Sequence, residues 1–274
     1  MSADKIAFHS FERAGWSERG VVDAYELALT QVTAQSIPAL LDAAGVTRGM
    51  RLLDVATGPG HVAAAAAERG AVVTAVDFSP AMVERARSRG VDAREGDAQA
   101  LPFSDGTFDA VVTSFGMLHF ADPERALAEA WRVLASGARM AFTVWAAADR
   151  AVGLGVPQQA VQRYGEVNAA VLPSGPSFFR FSDPDECLRT MQAAGFETCR
   201  VIEVAQIWSL GSVDELWRAL AEGTVRTRAL LRAQTKDAMT KIRDAIRAGM
   251  APYEKAGGAL EIPMPAMLAS GVRP

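Results

Sequence analysis

Cysteine and histidine are scarce in this chain of 274 residues, which contains two cysteines and three histidines. Cys187 and Cys199 are not spaced as a CxxC pair, and no histidine lies near them in the sequence as a metal ligand would. We therefore expect a reduced protein without a metal site.

An excess of charge of one sign and long apolar runs are also missing. The formal net charge is −4, so neither a nucleic-acid backbone nor an anionic membrane is an expected partner. Charged residues interrupt every apolar run well short of a membrane-spanning length, and residues 1–11 contain no apolar signal core. These absences favour a cytoplasmic protein with a small-molecule partner, and they leave the oligomeric state open.

The sequence does contain short β-rich runs that alternate with helical patterns, which indicates a parallel sheet covered by helices on both faces. The predicted strands of this doubly wound core are Arg51–Val55, Val72–Asp77, Val91–Glu95, Phe108–Ser114 and Ala138–Trp145. The predicted helices between them are His61–Arg69, Pro80–Arg89 and Pro123–Leu134. The pattern predicts an α/β fold.

Beyond residue 150 the pattern changes. We predict a helix over Pro184–Ala194, one long strand over Cys199–Leu210, a helical insert over Val213–Met250 and a last strand over Glu261–Val272. Pro263 and Pro265 fit an edge or a strand start better than a central strand, because proline cannot donate to a sheet ladder. With these two strands the mostly parallel sheet has seven.

A glycine turn follows the first strand, in the run Leu52–His61. Glycine lacks the Cβ that would block a ligand, so Gly58 and Gly60 allow backbone N–H groups to approach one closely. Together with Ala63 they satisfy the G-x-G-x-x-G/A pattern of dinucleotide binders, so a nicotinamide-dependent oxidoreductase is a rival interpretation.

Two acids bear on this choice. Asp54 lies beside the turn, where it would repel a pyrophosphate but would attract the ammonium group of S-adenosylmethionine (SAM). Asp77 closes the second strand and can accept both ribose hydroxyls of either cofactor. The alternative for Asp54 is that it only caps the turn. The pair favours a cationic adenosine ligand.

Four motifs in order resemble those of the class I SAM-dependent methyltransferases (methyltransferase type 11), in the ubiquinone/menaquinone-biosynthesis-like branch. They are Asp54–Gly60, Val76–Met82, Gly96-Asp97-Ala98, and Leu101-Pro102-Phe103 with Phe108-Asp109. Ala56 departs from the pattern, since the family more often has glycine there. The resemblance implies a Rossmann-like core over residues 41–150 that binds SAM, and S-adenosylhomocysteine (SAH) as the product.

The resemblance also implies roles for single residues. Asp77 would hold the ribose, Phe78 and Met82 would flank the adenine, and Asp97 with Ala98 would meet the adenine edge. Ser114 and Phe115 would line the methionine end and the acceptor site. The alternative for the apolar members of this set is an ordinary place in the core.

The remaining segments are expected to enclose the acceptor. Residues 1–40 are predicted as a helical lid, in which Trp16 and Tyr25 either cover the cofactor or only staple the helix. Residues 151–274 complete the sheet and carry a helical cap over about 212–258. His119 follows the fourth strand and is a candidate base, although a structural histidine explains it equally well.

Helical phase predicts an anion-binding arginine in the cap. If residues 224–250 form one helix, its apolar face places Arg228 and Arg232 in the stripe and directs Arg226 elsewhere. A buried guanidinium needs an anionic or hydrogen-bonding partner. That partner is either a protein carboxylate or an acceptor oxygen, and in the second case Phe179 and Phe115 would be apolar walls.

The sequence thus predicts an enzyme that transfers a methyl group from SAM to an O, N or C nucleophile of a small molecule. A SAM-binding protein of the same fold with a regulatory or different catalytic role remains the alternative, because fold and cofactor site do not determine the reaction. The nicotinamide enzyme is the weaker rival.

Overall fold

The computed structural model describes residues 2–167 and 171–274. Within these residues the strands are β1 Arg51–Val55, β2 Val72–Asp77, β3 Ala93–Glu95, β4 Phe108–Ser114, β5 Leu134–Trp145, β6 Glu197–Val204, β7 Ile207–Leu210, β8 Leu260–Pro263 and β9 Ala266–Val272. The first helices are α1 Ala3–Trp16, α2 Arg19–Ala28, α3 Thr30–Thr33, α4 Ile37–Ala43, α5 His61–Glu68 and α6 Pro80–Ser88. They are followed by α7 Pro123–Val133, α8 Val152–Tyr164, α9 Pro184–Ala193, α10 Val213–Glu222, α11 Arg226–Arg232 and α12 Lys236–Met250.

Seven strands form one sheet in the order β3-β2-β1-β4-β5-β9-β6. β9 is antiparallel to both of its neighbours, and the ladders among β1 to β5 are parallel. This confirms the predicted doubly wound, mostly parallel seven-stranded sheet. The order reverses between β1 and β4, which is where such sheets open a crevice for a ligand.

Alternate side chains along the central strands enter two separate cores, because successive residues point to opposite faces. Leu53 and Val111 pack with α7 and α9 on one face. Leu52 and Val112 pack with α4 and α5 on the other. α4 therefore packs on the sheet, whereas α1 and α2, at the start of the chain, belong to neither of these two cores.

The last two predicted strands are each divided in the structure. The run predicted as Cys199–Leu210 breaks at Gln206, whose buried side chain donates to the Val32 carbonyl at 2.6 Å and draws the chain out of the sheet. The run predicted as Glu261–Val272 divides into β8, which pairs with β7 in a second small sheet, and β9.

The sequence predicts the two prolines at an edge or at a strand start. β9 itself lies between β5 and β6, away from the sheet edge, and Pro265 directly precedes its first residue. Neither proline is in β9: Pro263 ends β8, and Pro265 stands between the strands. Residues 266–269 are buried and can fill both faces of a central strand.

The single helix predicted over residues 224–250 is two helices. α11 ends at Arg232, and Thr235 begins α12 by accepting a hydrogen bond from the Ala238 amide at 3.2 Å. A phase of 100° per residue cannot be carried across this break. α8, α10, α11 and α12 share an apolar core with β7 and β8.

Candidate functional site

A cavity lies at the carboxyl edge of the sheet, with about 1080 Å³ of empty space including its open mouth. Residues at the ends of β1, β2, β4 and β5 form its floor: Ala56, Asp77, Ser114, Phe115 and Trp145. α1, α2 and α11 cover it.

The glycine turn after β1 has left-handed backbone at three positions. Ala56 has φ 54°, Gly58 has φ 54° and Gly60 has φ 87°. A Cβ added at Gly58 would meet no atom within 4 Å, so this turn presents bare backbone to open space in the cavity. Gly60 instead allows close packing, since its Cβ would lie 3.0 Å from that of Ala86. The turn is shaped for a ligand that approaches backbone closely.

Ala56 adopts its conformation without glycine's freedom, at the position where the resembled family more often has glycine. A left-handed non-glycine residue costs on the order of 1–3 kcal/mol and persists only where its surroundings impose it. Phe115, at φ 54°, is a second such residue. Both line the cavity, at the ends of neighbouring strands.

Asp77 lines the cavity and is almost completely buried. Its carboxylate accepts hydrogen bonds from the Gly58 amide and the Ser79 amide, both at 2.9 Å. Burial raises the pKa of Asp77 to about 6, although these backbone donors oppose the shift. The side chain is held firmly at the end of β2, with unshared electron pairs for further donors.

Asp54 lies behind the turn, fully buried, and does not line the cavity itself. One oxygen accepts from the Thr57 hydroxyl at 2.6 Å, and the other, Oδ1, is buried without a hydrogen-bond partner among the described residues. Burial raises the pKa of Asp54 to about 7. Because this buried oxygen lies near Asp77 and has no partner among the described residues, this end of the site lacks a hydrogen-bond donor.

The side of the cavity next to β2 and β3 combines apolar surface with polar groups. Phe78, Met82 and Ala98 supply the apolar surface. Asp97 accepts from the amide and side chain of Gln99, each at 2.9 Å, and His9 packs edge-on against Phe78 with ring centroids 5.7 Å apart. This arrangement can hold a flat heterocycle between apolar side chains.

Helices α1 and α2 lie over the cavity, and both aromatic residues predicted for the lid line it. Trp16 packs edge-on against Tyr25, with ring centroids 5.4 Å apart. The Trp16 carbonyl accepts from the Ser79 hydroxyl at 2.7 Å, and the Arg13 guanidinium donates to the Phe78 carbonyl at 3.0 Å. α1 is thereby bonded directly to the β2–α6 connection.

The opposite end of the cavity is aromatic and apolar. Phe115 and Trp145 form a tilted pair with ring centroids 4.1 Å apart. Leu154 and Phe178 also line this end, and Ser114 accepts from the Thr143 hydroxyl at 3.3 Å. The surface suits a planar, weakly polar molecule.

A charged network stands at the wall of this apolar end. Glu12 is fully buried and bonds to His119 Nδ1 at 2.9 Å, to Trp16 Nε1 at 3.1 Å and to Arg226 Nε at 2.5 Å. Arg226 also donates to the carbonyls of Leu118 and Pro176. Burial raises the pKa of Glu12, but the charges and hydrogen bonds of His119 and Arg226 outweigh it, so the pKa lies below its ordinary value.

Three residues predicted to contact the acceptor do not line the cavity. Arg228 pairs with Glu18 at 2.5 Å, and Arg232 is exposed. Arg226, predicted to point elsewhere, is the buried arginine, because α11 and α12 are separate helices. Phe179 packs behind its neighbour Phe178, which takes the lining position. Gly60 and Asp54 also lie behind the lining, where they support the turn.

Glu12 was not singled out from the sequence, and Arg228 and Arg232 were placed on the buried face of the helix in place of Arg226. A signal for Glu12 was present: Phe8, Glu12 and Trp16 are spaced four apart, so they share one face of α1, and that face is buried. An acid inside an apolar stripe needs a buried partner. Nothing in the local pattern identifies that partner, which is 214 residues away.

Comparison with known proteins shows which protein family this chain resembles. Residues 53–142 match the family model described as "Methyltransferase domain". The chain is 50% identical over 98 residues to a demethylmenaquinone methyltransferase of Thermus thermophilus, a match that covers 33% of this chain and 44% of that protein. The chain spans about half the length of the curated relatives it matches, or less.

Solved structures agree on the fold. The YcgJ protein of Bacillus subtilis superposes with a TM-score of 0.56 at 21% identity, covering 87% of this chain and 97% of that one. A Haemonchus contortus phosphoethanolamine N-methyltransferase superposes with a TM-score of 0.58 at 18% identity, covering 97% of this chain and 60% of that one. The fold is that of the class I methyltransferases, and the resemblance predicted from the motifs is confirmed.

The described residues also bear on whether the chain has a metal site or a membrane-spanning helix. No group of three or more histidine, cysteine, aspartate or glutamate side chains able to hold a metal ion occurs within residues 2–167 and 171–274. None of the helices in this part of the chain is long and apolar enough to cross a membrane.

Proposed function

We propose that this chain is an enzyme that transfers a methyl group from SAM to a small-molecule acceptor, in the broad class EC 2.1.1. The observation that carries the proposal is the acidic turn. Asp54, with an unpartnered buried oxygen, and Asp77 stand beside the bare backbone of Gly58. A pyrophosphate would meet the Asp54 carboxylate there, whereas a ligand that carries an ammonium group would be attracted.

In this proposal the roles of the cofactor residues follow the sequence assignments. Asp77 holds the ribose hydroxyls, Phe78 and Met82 flank the adenine, and Asp97 with Ala98 meets its edge. Gly58, supported by Ala56 and Gly60, leaves room for the ligand. Asp54 compensates the ammonium charge from behind the turn. Tyr25 covers the cofactor from the lid, and Ser114 lies at the methionine end.

When bound, SAM supplies an activated methyl group on a positively charged sulfur. The chain's contribution is mainly alignment, because a displacement between two bound molecules gains most from their correct relative placement. Phe115 forms an apolar wall and Trp16 a cover that keep water from the reacting atoms, which favours loss of the sulfonium charge. His119 is positioned to accept a proton from the acceptor.

The division of the chain is part of the proposal. Residues 1–40 contribute the lid, residues 41–150 bind SAM, and residues 151–274 complete the sheet and carry the cap. The acceptor is a small molecule. The substrates in the relatives' names do not carry over to this chain, because the matches to those relatives cover well under half of it and the solved structures are similar in fold alone.

Calorimetry with SAM, SAH and NADH tests the cofactor. We expect SAM and SAH to bind and NADH to compete poorly. Release of SAH in the presence of a panel of phenols, quinones, amines and carboxylates then separates methyl transfer from binding alone. Tight NADH binding without any heat from SAM would refute the proposal in favour of the oxidoreductase.

A further inference from the structure

The Glu12 network determines which nitrogen of His119 carries a proton. The pKa of Glu12 is lowered, so this carboxylate is ionised at neutral pH and can only accept hydrogen bonds. Its 2.9 Å contact with His119 Nδ1 therefore requires a proton on Nδ1, and the Trp16 indole N–H, 3.4 Å from that nitrogen, donates to Glu12 at 3.1 Å instead. A neutral imidazole carries one proton, so its Nε2 has a free electron pair.

Arg226 serves Glu12 rather than a ligand. Its guanidinium donates to Glu12 and to the carbonyls of Leu118 and Pro176, and it lies over the ring of Phe8 at 4.5 Å from the centroid. The side chain is only 9% exposed. Its charge is compensated by a carboxylate that is fully buried. An arginine with these partners has little left to offer an anionic acceptor.

The aromatic end of the cavity adds a condition on the acceptor's charge. Phe115, Trp145, Leu154 and Phe178 would surround an acceptor placed next to His119. Among the described residues that line the cavity, Arg226 is the one arginine or lysine, and it is already paired with Glu12. A carboxylate or phosphate there would therefore lose its hydration without gaining an unoccupied cation. A neutral hydroxyl needs only one hydrogen-bond acceptor, and His119 Nε2 provides it.

We propose that the acceptor is an uncharged, planar molecule with a weakly acidic hydroxyl group, that His119 Nε2 removes its proton, and that Glu12 positions His119 for this task while Arg226 keeps Glu12 in place. This inference rests on the proposed function and names its acceptor class. His119 is the catalytic residue, and Glu12 and Arg226 are positioning residues.

The hydroxyl proton passes to Nε2, and an oxygen electron pair forms the bond to the methyl carbon. The carbon–sulfur bond breaks, and its electron pair stays on sulfur, which becomes neutral as SAM is converted to SAH. The products are a methyl ether and a protonated His119 next to ionised Glu12, a favourable ion pair. The extra proton then leaves to solvent.

The tautomer can be measured without any acceptor. Nitrogen-15 NMR of labelled protein distinguishes protonated from unprotonated ring nitrogens, and His119→Gln identifies which signals belong to His119. We expect Nδ1 protonated and Nε2 unprotonated when the ring is neutral. In Glu12→Gln the amide can donate or accept, so this preference should be lost. Protonation of Nε2 in the unaltered protein would overturn the proposal.

Removing Glu12 alone leaves the buried Arg226 without its anion, and that variant can fail to fold. The double variant Glu12→Gln/Arg226→Met removes both charges together and avoids this. We expect it to fold and still to lose the tautomer preference. If it keeps the preference of the unaltered protein, Glu12 is not the positioning residue.

Three probes of similar shape test the acceptor's charge by calorimetry on the SAH complex: 2-naphthol, 2-naphthoate and 2-naphthylmethylamine. We expect 2-naphthol to bind at least about tenfold more tightly than the other two, a difference of roughly 1.4 kcal/mol. Equal or tighter binding of the carboxylate or the ammonium compound overturns the proposed acceptor class.

Absorbance of bound 4-nitrophenol tests proton removal. At a pH below the pKa of the free phenol, the SAH complex of the unaltered protein should bind it in its ionised, yellow form, and His119→Gln should not. An equal yellow fraction in both proteins overturns the role of His119. Failure of SAH itself to bind would instead refute the proposed function, so the two failures are distinguishable.

Discussion

The two ends of the cavity are built differently. The proposed cofactor end consists of strand ends and the turns that follow them, in which Asp77 accepts hydrogen bonds from the amides of Ser79 and Gly58, two and nineteen residues away. The acceptor end brings together Glu12, His119 and Arg226 from three distant segments. Local motifs specify the first end, and long-range packing specifies the second. Mutations at the two ends should therefore fail in different ways.

The largest effect is expected at the acceptor end, in stability. Arg226→Met leaves the buried Glu12 carboxylate without its arginine partner, which should lower the free energy of unfolding by about 3–5 kcal/mol. Denaturant unfolding followed by circular dichroism measures it.

The matched control for this prediction is Arg228→Met on the same helix. Arg228 pairs with Glu18, whose side chain is 53% exposed, so the loss should stay within about 1 kcal/mol. Equal losses in the two variants would contradict the distinction between an arginine paired with a buried carboxylate and one paired with an exposed carboxylate.

At the cofactor end the effect should appear in affinity. Asp77→Ala removes a carboxylate that can accept two hydroxyl hydrogen bonds, so SAM and SAH should bind about 2–3 kcal/mol more weakly, the range for hydrogen bonds to charged groups. Calorimetry measures the change.

Asp109→Ala is its control. Asp109 pairs with Arg51 at the start of β4, at the end of the strand opposite to the cavity. Its replacement should leave the affinity unchanged. A folded Asp77→Ala variant with unaltered SAH affinity would remove the ribose role.

A dependence on pH would sharpen the same comparison. Burial raises the pKa of Asp54 from 3.8 to about 7, so the folded state binds a proton that the unfolded chain releases above about pH 4. The ligand-free protein should lose stability as the pH rises through this range and level off above pH 7. Glu12, with its lowered pKa, stays ionised in the upper part of the range.

A ligand with an ammonium group should favour the ionised form of Asp54. SAH affinity should then rise by up to about tenfold per pH unit below the pKa of Asp54, and calorimetry in buffers of different protonation enthalpy should detect proton release. Asp54→Asn should abolish this dependence. A dependence of equal size in that variant would assign it to another group.

The smallest effect is expected in the lid. α1 and α2 pack on the core through Trp16, Val21 and Val22, and surface ion pairs, which include Arg19–Glu84 and Arg13–Glu95, add to this contact. Such pairs are each worth less than about 1 kcal/mol and are screened by salt. Amide hydrogen exchange in α2 should become faster at high salt, and exchange in α4, which packs on the sheet, should not. Equal changes in both helices would indicate general loosening.

The same division explains how much the sequence could predict. The five strands of the core and the cofactor residues that line the cavity were predictable because each motif lies within a few residues of a strand end. The position of β9 was not, since it depends on where the chain returns after the cap. Arg226 was missed because three residues between α11 and α12 alter the helical phase. Glu12 was missed because its partners are distant in the sequence.

The connection between β6 and β9 has a consequence for how this protein could be altered. Val204 and Ala266 are paired neighbours in the sheet, so residues 205–265, with α10, α11 and α12, leave and re-enter at almost the same place. A segment attached in this way can be exchanged without moving the strands, provided that the replacement keeps a cation next to Glu12, as Arg226 does. We expect chimaeras that replace it to keep SAM binding and to change the acceptor, which makes this junction the natural place to graft a new specificity.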